Sequence, residues 1–140
     1  MLCPLFRSLD DAALVVAVSG ASPRMADRKR ALAARVQRYL ILHSSERVRL
    51  GDVGRAVGAS PGHVSEVFRE IVGISPYRYQ LQLRLTRASE LLSKQDDLAR
   101  LALDLGFSSH SHFTTAFRQR FGDTPEKYRA RLRYSSSFSR

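Results

Sequence analysis

Between residues 28 and 134 apolar side chains recur every three or four positions, and the run is broken repeatedly by Gly or by a Ser/Thr–Pro pair. That period belongs to helices with one face in a core, so the chain predicts a series of short amphipathic helices. Leu32, Val36, Tyr39 and Leu40 share a face of a first helix over about 29–43, with Arg35 and Arg38 near its polar edge. A loop over 43–49 leads to a brief helix over 50–57 that turns Val53, Ala56 and Val57 inward and is closed by Gly58. Ser60 is a natural N-cap and Pro61 a natural first residue for the next helix, 61–72, whose core face is Val64, Val67, Phe68 and Ile71. Ser75–Pro76 opens the longest helix, which runs to about 93 and carries the stripe Leu81, Leu85, Ala88, Leu91 and Leu92. At about 1.5 Å per residue this helix is over ~25 Å long. A helix over 98–105 follows, then a turn over 106–108 and a helix over 109–121 with Phe113, Phe117 and Phe121 at i, i+4 and i+8. Thr124–Pro125 opens the last helix, carrying Tyr128 and Leu132. Caps and hydrophobic period agree at every junction, so the fold class is all-α.

The same pattern is written twice. Phe68, Gly73, Pro76 and Tyr79 fall 49 positions before Phe117, Gly122, Pro125 and Tyr128. Gly58 and Gly106 are 48 apart, so the second copy carries one extra residue in its first turn. A repeated pair of short helices around a tight turn is a device for entering a nucleic-acid groove. The organisation expected is a first helix-turn-helix unit over 28–75, a linker helix over 76–93 and a second unit over 94–134. Residues 1–27 read as an arm or the remnant of a larger protein, with one short helix or strand over 12–18 and a linker over 19–27. Residues 135–140 read as a frayed tail.

Composition narrows the function. Lys and Arg number 23 against 13 acidic residues, a net charge of +10 spread through the predicted helices, which suits a basic face on a folded domain. Cys3 is the single cysteine, and no carboxylate stands at metal-ligand spacing from His63, His110 and His112, so neither a disulfide, a metal nor a cofactor is expected. No Ser, His or Asp set carries the orienting third partner a hydrolase needs, which argues against an enzyme. No apolar stretch is long enough for a membrane span, and Asp10 and Asp11 precede the short apolar run 12–19 where a secretory signal would want positive charge. A cytoplasmic protein acting on double-stranded DNA is the expectation. The alternative is a helical protein-interaction module that docks an acidic partner such as RNA polymerase without reading bases.

Residues 101–129, LALDLGFSSHSHFTTAFRQRFGDTPEKYR, and 73–92, GISPYRYQLQLRLTRASELL, resemble the DNA-binding domain of the AraC/XylS family of bacterial transcriptional regulators. The likeness runs from about Asp27 to Arg133. It implies seven helices in two homeodomain-like helix-turn-helix subdomains joined by a long central helix. Family members bind as this domain alone or with a separate effector-binding or dimerising domain. The chain is therefore expected to be either a short member or, as favoured here, the C-terminal part of a longer regulator, with RNA polymerase as a partner.

The family's base-contacting positions fall on Gly62, Ser65 and Glu66 in the first copy and on His110, Ser111, Thr114 and Thr115 in the second. Many members carry Arg where this chain has Glu66 and Thr115. Glu66 can only accept a hydrogen bond, as from a cytosine amino group, and Gly62 offers no side chain, so the first copy is expected to be the weaker reader. Phosphate contacts are expected from Arg69 and Arg118, which are in register, then from Arg78 and Arg129, and from the amides of the helices opened by Ser60, Ser75 and Ser109. Arg84 is expected to be structural, paired with an acid such as Asp104. His63 and His112 are expected to be partly buried braces.

Overall fold

The computed structural model describes residues 22–138. Among them the elements are α1 (Pro23–Leu42), α2 (Leu50–Val57), α3 (Pro61–Val72), α4 (Pro76–Leu91), a 3₁₀ turn (Leu92–Lys94), α5 (Leu98–Asp104), α6 (His110–Phe121) and α7 (Pro125–Ser137). They fall into two compact units. Unit 1 contains α1, α2, α3 and the start of α4 through Leu81, and unit 2 contains the rest together with Ser44–Glu46.

Helix starts follow the capping chemistry. The hydroxyls of Ser60, Ser109 and Thr124 each accept the backbone N–H three residues on, from His63, His112 and Lys127. Each such cap contributes about 1 kcal/mol. The same device acts once more than expected. Ser22 Oγ accepts Met25 N–H and Pro23 is the first helical residue, so α1 begins five residues before 28 and the expected linker over 23–27 is helical. The short element expected over 12–18 lies outside the described residues. At the other end α7 continues through Ser137, where Ser135, Ser136 and Ser137 donate to the carbonyls four residues back. Only 139–140 of the expected frayed tail lie beyond the described residues.

In unit 1, α1 and α2 pack on α3. The core is Ala33, Val36, Leu40, Val53, Val57, Val64, Val67, Phe68 and Ile71, with Tyr79 of α4 set edge-on to Phe68 at 5.4 Å. Ala56, expected inward, is exposed, and Gly54 is buried instead. A side chain at Gly54 would meet Ala59 O at 2.6 Å, because the Ala59 amide doubles back to Gly54 O at 3.0 Å. Arg35 reaches α2 and donates to Val57 O, closing that helix's C-terminal end.

Unit 2 repeats the scheme with aromatic filling. Phe107, Phe113 and Phe117 are buried, and Tyr128 stands edge-on to Phe117 at 5.3 Å, as Tyr79 does to Phe68. Phe121, expected in the core, is half-buried and lies against Phe117 and Tyr128. The expected linker helix is α4, which ends at Leu91. Its first turns complete unit 1, while Leu85, Ala88 and Leu92 are buried parts of unit 2. It gives way after Leu91 to the 3₁₀ turn.

Candidate nucleic-acid interface

Helix N-termini leave amides without intrahelical partners, and α3 and α6 differ in how many remain. In α3 the first residue is Pro61, which has no N–H, and the His63 amide is taken by Ser60 Oγ at 3.3 Å. Gly62 N–H is left. In α6 the His112 amide is taken by Ser109 Oγ at 3.0 Å, and both His110 N–H and Ser111 N–H are left. A phosphate at α6 can therefore meet two backbone donors, against one at α3. At the start of α4, Ser75 is half-buried, Pro76 is buried and Ser75 Oγ accepts Arg78 N–H at 3.2 Å, which leaves Tyr77 N–H there.

On α3, Gly62, Glu66 and Arg69 are exposed and border one depression with Ser65 and Glu70. A side chain at Gly62 would meet nothing within 4 Å, so the position is an open place on the outer face of α3. Ser65 is half-buried and also lines a small cavity of about 150 Å³ with Leu40, Val53 and Tyr77. Glu70 is held by Lys29 of α1 at 2.8 Å.

On α6, His110, Ser111, Thr115 and Arg118 are exposed. Thr114 is half-buried and its hydroxyl oxygen is sealed from solvent without a hydrogen-bond partner, so in this rotamer that hydroxyl cannot meet a base. His110 Nε2 lies 3.6 Å from Glu126 Oε1 of α7, a neighbour the sequence reading missed because the two residues are far apart in the chain. The histidines that follow the caps behave differently. His112 is half-buried, its Nδ1 3.3 Å from Ser108 Oγ and its ring edge-on to Phe107, the brace expected of it. His63 is exposed, contrary to expectation, because the tighter first turn has no counterpart of Ser108 and carries Ala59 where the second has Phe107.

Arg69, Arg78 and Arg118 are exposed, and among the described residues none contacts a carboxylate. Arg129, also expected at a phosphate, has partners inside the fold: its Nη1 donates to Gln95 O at 2.9 Å and Asp96 O at 2.8 Å, in the loop before α5. Arg133 Nη2 donates to Asp96 Oδ1 at 2.7 Å, and this hydrogen bond and charge, aided by Arg129, hold the Asp96 carboxyl below its ordinary value. Arg84 is structural as expected but by other contacts. It is 9% exposed and donates to Ser44 O and Glu46 O at 2.7 Å, while Asp104 pairs with Arg100.

Two helix-turn-helix units in register, each with a capped second helix and an exposed polar face, define a double helix-turn-helix DNA-binding domain. A model of the helix-turn-helix domain family matches residues 53–131. The chain belongs to the AraC/XylS family of helix-turn-helix transcriptional regulators, proteins that bind DNA rather than act as enzymes. It is 36% identical over 118 residues to the regulatory protein PocR of Salmonella typhimurium, covering 84% of this chain and 37% of that protein. It is 30% identical over 89 residues to the probable transcription factor PqrA of Proteus vulgaris, covering 63% of this chain and 73% of that one. The crystal structure of a transcriptional regulator with an AraC-type DNA-binding domain from Chromobacterium violaceum aligns with a TM-score of 0.67 at 28% identity, over 74% of this chain and 94% of that chain. The chain thus spans little more than a third of PocR's length. Among the described residues no helix is long and apolar enough to cross a membrane, and no His/Cys/Asp/Glu group could hold a metal ion.

Proposed function

We propose that this domain regulates transcription by placing α3 and α6 in successive major grooves of one duplex, about 34 Å apart, with α6 as the principal reader. The observation that carries this reading is the pair of register-matched helices, each opened by a serine cap with exposed polar positions behind it. On α6, His110, Ser111 and Thr115 offer hydrogen bonds, and the Thr115 methyl can pack on thymine. On α3, Glu66 accepts from a cytosine amino group, Gly62 contributes its amide only and Ser65 is a minor contact. Arg69, Arg118 and Arg78 hold phosphates and fix position without reading sequence. The domain works at the nucleoid in the cytoplasm, with RNA polymerase and an effector-binding or dimerising domain as protein partners.

Selection of bound sequences from random duplexes tests this. Two enriched blocks about one helical turn apart are expected, the sharper under α6. Binding that neither enriches a sequence nor weakens with salt would instead favour the protein-interaction module.

A further inference from the structure

The outer face of α1 carries a row of arginines that DNA reading by α3 does not use. Arg24, Arg28, Arg35 and Arg38 follow one another at intervals of four, seven and three residues, with Ala31 between them and Leu42 at the end. At 3.6 residues per turn these positions share one side of the helix, and all six residues are exposed. The buried residues of α1, Ala26, Ala33, Val36 and Leu40, occupy the opposite side, where α2 and α3 pack. The row therefore faces away from α3. Its length from Arg24 to Arg38 is about 21 Å, at about 1.5 Å per residue.

Internal roles do not account for these charges. Among the described residues, Arg35 alone of this row has a partner, Val57 O. Among the described residues Arg24, Arg28 and Arg38 meet no carboxylate, and the one acid of α1, Asp27, is paired with Arg30. Like charges spaced three or four residues apart work against the helix that carries them. The apolar members of the row decide the class of partner. Leu42 is 72% exposed and Ala31 is open beside the guanidinium groups. A phosphodiester backbone has no use for them, whereas an amphipathic helix with carboxylates flanking an apolar seam would engage both kinds of group.

We propose that the outer face of α1 is a docking surface for an acidic amphipathic helix of a partner protein, with Arg24, Arg28 and Arg38 pairing its carboxylates and Ala31 and Leu42 seating its apolar seam. It lies on the side of α1 turned away from α3, so a regulator reading DNA through α3 can hold both at once.

The test uses the full chain and a fluorescein-labelled helical peptide of repeating Glu-Leu-Ala-Glu-Glu-Leu-Ala, followed by anisotropy. Arg24→Gln/Arg28→Gln/Arg38→Gln is expected to weaken the peptide by roughly tenfold, the sum of three exposed ion pairs. Leu42→Ala is expected to weaken it further by about threefold, and both variants should bind a random duplex within about twofold of the parent. No binding of the peptide by the parent chain, or binding indifferent to the triple substitution, overturns the proposal. So does indifference to Leu42→Ala, which would reduce the effect to unspecific charge attraction. Duplex affinity falling in step with peptide affinity overturns it as well and makes the row a DNA contact.

Discussion

Helices α3 and α6 are built on one template and equipped differently. In α3 and α6 the residues that pack have kept their places, since Phe68 and Phe117 meet Tyr79 and Tyr128 at 5.4 and 5.3 Å and nearly the same edge-on angle. The residues that face outward have not. Gly62, Ser65 and Glu66 stand where Ser111, Thr114 and Thr115 stand in the second copy. Charge is divided in the opposite sense. The described part of unit 1 holds eleven Lys or Arg against four acids, and that of unit 2 holds ten against seven. Many of unit 2's arginines are tied to acids or carbonyls, including Arg84, Arg87, Arg100, Arg129, Arg131 and Arg133. A core constrains its residues through shape, while a surface is constrained only by what it touches. The two copies therefore share the first and differ in the second.

The largest effect should come from the shared template. Phe117→Ala removes a fully buried ring and is expected to cost about 3–5 kcal/mol in urea unfolding. A loss below about 1 kcal/mol would mean the aromatic stack is not the core of unit 2.

The turn glycines separate the copies next. Both Gly58 and Gly106 have positive φ, but a side chain at Gly58 meets nothing, whereas one at Gly106 would lie 2.4 Å from Ser45 O. Gly58→Ala should cost about 1 kcal/mol from backbone strain alone, and Gly106→Ala should exceed it by about 1 kcal/mol or more. Equal losses by thermal unfolding would show that the close approach relaxes freely.

In DNA binding, His110→Ala should change preference at one or two base pairs by roughly 1–3 kcal/mol, with Ser65→Ala changing little. The reverse order in competition assays would exchange the roles of the units. Glu66→Ala should leave binding to random duplexes equal or tighter, since it removes a negative charge near phosphate; weaker binding there would refute the repulsion.

The smallest effect concerns Asp96. Because Arg133 lowers its pKa in the folded state, its contribution is present above the ordinary carboxylate value of 3.8 and is lost as pH falls through the lowered one. The parent should therefore lose slightly more stability than Asp96→Asn below that pH, and parallel acid-unfolding curves would remove the interaction from the account.

Much of this was legible in the chain. Caps and hydrophobic period are local signals, and they located α2, α3, α6 and the start of α4 closely. The start of α1 is less legible: Ser22–Pro23 repeats the Ser60–Pro61 signal, but the apolar period is weak before Ala33. Position in register pointed to Arg69 and Arg118. What it could not reveal was competition inside the fold: Arg129 taken by two carbonyls, the Thr114 hydroxyl turned out of reach, and His110 set beside Glu126. Those facts depend on which loops lie next to which helices. Spacing along the chain does not carry that information.

The central helix α4 has one further implication, for anyone who would take the molecule apart. Tyr79 roofs Phe68 and Gln80 donates to His43 O, so a fragment ending before Pro76 would lose a wall of its own interior. A fragment beginning after Leu92 would lack Leu85 and Ala88, both sealed inside the other half. To express either half alone, residues 76–92 would have to be included in both clones.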